Sequence, residues 1–122
     1  MQSQELLEIA TQIEMLPTYD AALTRRAFEL VARKLPDVDR DMIEAGALGT
    51  VDAVLLLIDH GFPGWTLSMD GVASEQDGHW KCSLRQSAVL DNDAYLGVGK
   101  GPKLSNAMIG TLLKALAQRP NE

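Results

Sequence analysis

The sequence predicts an α+β fold: N-terminal helices, a three-stranded antiparallel β-meander and a C-terminal helix packed on the sheet. Three observations predict it. Apolar residues recur at helical spacing from Leu6 to Ile58, the period changes to two between Trp65 and Val98, and the helical period returns from Leu104 to Leu116. With 122 residues, 46% of them hydrophobic, the chain has the length of one domain and can build a core without disulfides or metal. We take residues 1–122 as that domain, with 1–45 a helical N-terminal segment and 46–122 an α-β-β-β-α unit.

Each element has its own signals. Ser3 is placed to cap a first helix with Leu6, Ile9, Ala10 and Ile13 on one face, and Leu16-Pro17 stops it, because the residue before a proline avoids the helical region. Thr18 or Asp20 caps a second helix that buries Leu23, Ala27, Leu30 and Val31 and ends at Leu35-Pro36. The acidic run from Pro36 to Gly46 has room for one short turn. Thr50 caps a third helix, with Asp52 in the first turn where the dipole favours negative charge. Val51, Val54, Leu55 and Ile58 share its apolar side, widened by Leu56 and Leu57, so deep burial is expected. Gly61 suits a left-handed C-terminal position and Pro63 prevents continuation.

Period two then sets Trp65, Leu67 and Met69 against Thr66, Ser68 and Asp70, and Trp80, Cys82 and Leu84 against Lys81, Ser83 and Arg85. In the third strand it sets Ala94, Leu96 and Val98, as the core face, against Tyr95, Gly97 and Gly99. Polar and glycine residues around Gly71–Gly78 and Asp91–Asp93 supply the turns. Pro102 then follows a Gly101 cap into a helix whose apolar face is Leu104, Met108, Ile109, Leu112, Leu113 and Leu116, with Lys103, Asn106, Lys114 and Gln118 pointing away.

Composition narrows the function. A net charge of −6 favours solubility and opposes non-specific attraction to nucleic acid or anionic membranes. The one cysteine, Cys82, has no intrachain partner, which suits a reducing cytoplasm, and the N-terminus lacks the pattern of a secretory signal. The most apolar run, Val51–Ile58, is too short to span a bilayer.

The glycine- and lysine-bearing stretch Tyr95–Leu116 is not a phosphate loop: Ala94 stands where the first glycine belongs, and Gly101 follows Lys100 where Ser or Thr belongs. The dinucleotide fingerprint fails at Pro102. A bend or a close neighbouring backbone at the strand end is the plainer reading of the glycines.

The order helix, three strands, helix from Thr50 onward, with Gly97 and Gly99 leading into a terminal helix, resembles the double-stranded RNA-binding domain. That family grips phosphates with a lysine cluster at the start of the last helix. Of the cluster this chain keeps Lys103, with Pro102 and Asn106 at neighbouring positions, and Glu75 and Asp77 stand in the loop that would enter a groove. A wider likeness covers about residues 46–118. The runs GALGTVDAVLLLIDHGFPGWTLSMDG, GHWKCSL and AYLGVGKGPKLSNAMIGTLLKALA resemble small phage- and prophage-encoded proteins of the ABA-sandwich type. This resemblance implies a small α+β sandwich of phage or mobile-element origin, and it supplies no established catalytic residues to carry over. The helical segment before Gly46 lies outside it.

No residues form a coherent catalytic, cofactor or metal pattern. His79 and Cys82 stand three apart in a strand, on opposite faces, and His60 is best placed to complement a helix dipole. Asp91-Asn92-Asp93 lacks the rest of an EF-hand loop, and Cys82 shares its alternation with Trp80 and Leu84, which predicts a buried, inert thiol. Two surfaces are candidates for interaction: Arg25, Arg26 and Arg33 on the second helix, and Ser68, Lys81, Arg85 and Tyr95 on the non-core face of the sheet. The leading expectation is a non-enzymatic module, with no cofactor and no membrane contact, that binds a protein partner or pairs with itself. The alternative is RNA binding through Lys100, Lys103 and Lys114, and a small enzyme ranks third.

Overall fold

The computed structural model describes residues 2–34, 50–62, 64–71, 80–85 and 95–118. The elements run α1 (Gln2–Glu14), α2 (Ala21–Lys34), α3 (Val51–Gly61), β1 (Thr66–Gly71), β2 (Trp80–Arg85), β3 (Tyr95–Gly101) and α4 (Leu104–Gln118). The strands form one antiparallel sheet in the order β1-β2-β3, and α4 packs on it, as the α+β reading predicts.

Local chemistry accounts for the helix boundaries. Asp20 Oδ1 accepts from Leu23 N–H at 2.9 Å and caps α2. Thr50, in extended conformation, accepts from Ala53 N–H at 3.3 Å and caps α3. Ser3 lies inside α1 rather than capping it. Gly61 stays within α3, whose last turn closes with Phe62 N–H donating to Ile58 O at 2.8 Å. The left-handed glycine is Gly64, at φ 82°, where the chain turns into the sheet. The α4 helix begins later than expected, because Gly101 stays in β3 opposite Trp80 and the first helical bond runs from Ala107 N–H to Lys103 O at 2.9 Å.

The core forms around α4. Met108, Ile109, Leu112, Leu113 and Leu116 are buried, and so are Ala107, Gly110, Thr111 and Ala115 on its remaining faces. The sheet covers one side of α4, and α1, α2 and α3 gather on the others. Leu6, Ile9, Ala10 and Ile13 of α1 and Ala27, Leu30 and Val31 of α2 enter the core as their spacing predicts, joined by Thr24 and Phe28, while Leu23 is half-buried. Each fully buried leucine contributes about 1.5–3 kcal/mol relative to an exposed one. The α3 stripe is narrower than its composition suggests. Ala53, Val54, Leu57 and Ile58 are buried, whereas Leu55 and Leu56 are exposed, since only one side of the helix meets α4.

One strand is inverted relative to expectation. Cys82 and Leu84 face the core with no exposed surface, and their register partners on β3 are Gly99 and Gly97. The glycines therefore line the inner face and Val98 points outward, 37% exposed. A Cβ on Gly97 would collide with Thr111 O, and one on Gly99 with Ala107 O and, at 2.7 Å, with Thr111 N. The α4 backbone lies so close to β3 that only glycine fits between them. Facing the glycines, Ala107, Thr111 and Ala115 present small side chains at helical spacing. The turn segments 72–79 and 86–94, the acidic run and His79 lie outside the described residues.

Candidate interaction surface

Among the described residues no helix covers the outer face of the sheet, on which Ser68, Lys81, Val98 and Lys100 are exposed. Antiparallel register places Asp70, Lys81 and Lys100 in one row across the strands, Ser68, Ser83 and Val98 in the next, and Thr66 beside Arg85 in the third. A bulge at Leu84/Arg85 brings Tyr95 into register with Arg85. Ser68, Lys81 and Lys100 are exposed, and Ser83 and Arg85 are half-exposed. Lys81 and Lys100 sit directly opposite each other, an unfavourable pairing for two cations, and neither ammonium has an ion-pair partner among the described residues.

The candidate residues do not form one patch. Arg25, Arg26 and Arg33 are exposed on α2, which packs on α1 and α4 and touches no strand, so the α4 layer separates them from the sheet face. The lysines of the alternative separate too. Lys100 belongs to the outer sheet face, Lys103 is half-buried at the start of α4, and Lys114, expected to point away from the core, is half-buried and committed to partners within the fold. Its Nζ lies 2.8 Å from Glu14 Oε2 and donates to Val98 O at 3.0 Å. Asn106 was also expected outside. It is buried, and its amide donates to Leu16 O at 3.1 Å and Thr18 O at 3.0 Å, pinning the link between α1 and α2.

Sequence reasoning missed Glu14. The carboxylate is buried at the end of α1, where it accepts from Lys100 N–H at 2.9 Å as well as from Lys114 at 3.1 Å. Together Glu14 and Lys114 satisfy one N–H and one C=O on the free side of β3 and so cover part of that edge of the sheet. No local motif announces this, because 100 positions separate the partners.

Cys82 is fully buried. Burial, with a smaller contribution from the Glu14 charge, pushes its pKa from 9.0 to about 11, against a hydrogen bond from Thr111 that lowers it. The thiol is therefore held protonated near neutral pH, the opposite of an activated nucleophile. Thr111 Oγ1 lies 2.9 Å from Ala107 O and 3.3 Å from Cys82 O, which ties α4 to β2. Among the described residues no three His, Cys, Asp or Glu side chains converge on a metal position, and no helix is long and apolar enough to cross a membrane.

No protein-family model matches the chain, and comparison with curated proteins and with solved structures finds no match either.

Proposed function

We propose that this chain is a non-enzymatic protein-interaction module whose working surface is the open face of its sheet. The observation that carries this reading is the cationic row on that face. In a chain of net charge −6, Lys81 and Lys100 are held side by side in a row whose one carboxylate is Asp70, so the row keeps a net positive charge that an acidic partner would complement. Ser68 and Ser83 supply hydroxyls between the cations and Val98 an apolar centre. The resemblance to ABA-sandwich proteins suggests a phage or prophage accessory protein acting in a cytoplasm.

A second reading takes the same two lysines as contacts to nucleic-acid phosphates, with Asp70 in their row as the opposing charge. One titration separates the two. A labelled glutamate-rich peptide and a labelled RNA duplex are each added to the native chain and to the Lys81→Glu/Lys100→Glu variant at low and moderate salt. Peptide binding weakened at least about tenfold by the charge reversal supports the protein partner. Duplex binding that falls steeply with salt and is lost in the variant supports nucleic acid. Binding of neither probe, or binding indifferent to the reversal, rejects this face as the site.

A further inference from the structure

The two edges of the sheet are treated differently, and the open one has a definite geometry. Lys100 N–H and Val98 C=O point off the free side of β3 toward Glu14 and Lys114. Alternation along each strand then turns the backbone groups of Gly97, Gly99 and Gly101 toward β2, and those of Lys81, Ser83 and Arg85 toward β1. It follows that Thr66, Ser68 and Asp70 bond back to β2, while the N–H and C=O of Leu67, Met69 and Gly71 project from the far edge of β1. These edge groups have no hydrogen-bond partner among the described residues. No described helix packs over β1, and Met69 is 43% exposed although it shares the core face with Cys82.

We propose that β1 pairs antiparallel with β1 of a second copy of the chain, about a two-fold axis through Ser68, joining the two sheets into one. In that register Leu67 of each copy exchanges both backbone hydrogen bonds with Met69 of the other, and their side chains cover each other on the core face. Thr66 meets Asp70 and Ser68 meets Ser68, so no like charges oppose across the strand pair. A second copy is the occupant for two reasons. The strand is self-complementary in this register, with none of the proline, lysine or bulge devices that keep an edge apart. On the β3 edge the Lys100 N–H and the Val98 C=O are already bonded to Glu14 and Lys114, which disfavours head-to-tail addition of copies through that edge and favours a closed two-fold pair. The axis is normal to the sheet, so both open faces lie on the same side. The pairing rests on the edge alone and stands apart from what the open face binds.

Sedimentation of the full chain over a concentration series tests it, together with three variants. The native chain is expected to shift to twice the mass of one chain by about 0.1 mM. Met69→Pro removes an edge-facing N–H that the fold does not use and should hold the chain at single mass with its circular dichroism unchanged. Ser68→Cys, with oxidised glutathione as electron acceptor, should form an interchain disulfide, since a non-hydrogen-bonded pair places Cα atoms about 4.5 Å apart. Asp70→Cys should not, because its two copies lie about 14 Å apart along the strands. Single mass up to about 1 mM overturns the proposal and leaves the edge to a strand from a different protein. Doubling that survives Met69→Pro without a cross-link at Ser68→Cys overturns it as well, and the cross-link keeps the test valid if the proline variant fails to fold.

Discussion

The β3 side of the sheet and the β1 side are built from the same kind of strand and end in opposite conditions. β3 lies under α4 on a lane of glycines, and its outer edge is bonded by an ion pair brought from α1 and α4. β1 touches β2 alone among the described elements, and Ser68–Gly71 are exposed. The difference shows how an edge strand becomes core. It needs an inner face small enough for a helix backbone to approach, and charged groups long enough to reach the edge where a further strand would have been.

The largest effect should come from filling the glycine lane. Gly99→Ala sets a Cβ against the Ala107 carbonyl and Thr111, backbone contacts that cannot yield without moving α4. A loss of about 4 kcal/mol or more in denaturant unfolding is expected, enough to leave the chain partly unfolded. A near-neutral Gly99→Ala would mean that the close approach of α4 does not hold the sheet.

Matched prolines probe the two edges directly. Lys100→Pro removes the N–H that Glu14 accepts, and about 2–4 kcal/mol of stability should go with it, more than in a Lys100→Ala control. Met69→Pro removes an N–H from the open edge and should cost less than about 1 kcal/mol. Equal losses at the two positions would erase the distinction between the edges.

A smaller effect belongs to Cys82, beneath the sheet. The folded state holds the thiol proton up to a pKa of about 11, against 9.0 ordinarily. The stability linked to this group is therefore whole below about pH 9 and is lost as pH rises to about 11, a fall of about 2 kcal/mol. Comparing the pH dependence of unfolding in the native chain and in Cys82→Ala isolates it, since the variant should lack that part of the slope. Thiol reagents at neutral pH should label the native chain far more slowly than the unfolded one. Rapid labelling of folded protein would contradict the buried geometry.

Much of this was legible in the residues. Helical spacing placed Leu6, Ile9, Ala10 and Ile13 inside, and alternation placed Cys82 and Leu84, because both patterns are short-range consequences of backbone geometry. The third strand misled for a physical reason. Hydrophobicity ranks Val98 above Gly97 and Gly99, but burial beneath a close helix selects for size before hydrophobicity. The complementary signal was present, in glycines two apart and in Ala107, Thr111 and Ala115 four apart, yet neither set identifies its partner alone. The breadth of the α3 stripe misled likewise, since Leu55 and Leu56 belong to a side of the helix that α4 does not meet.

The sequence by itself determined the α+β class, the order of the elements, the cap at Thr50, a cap at Thr18 or Asp20 and the residues on most inner faces, all properties carried by neighbours along the chain. Only the tertiary structure decided which face of β3 turns inward, that Lys114 serves Glu14 instead of solvent, that Lys81 and Lys100 stand together on the outer face, and that among the described residues the β3 edge is bonded by Glu14 and Lys114 while the β1 edge has no partner. Those outcomes depend on contacts between residues far apart in sequence, such as Glu14 and Lys114, and no local period encodes a distance of that kind.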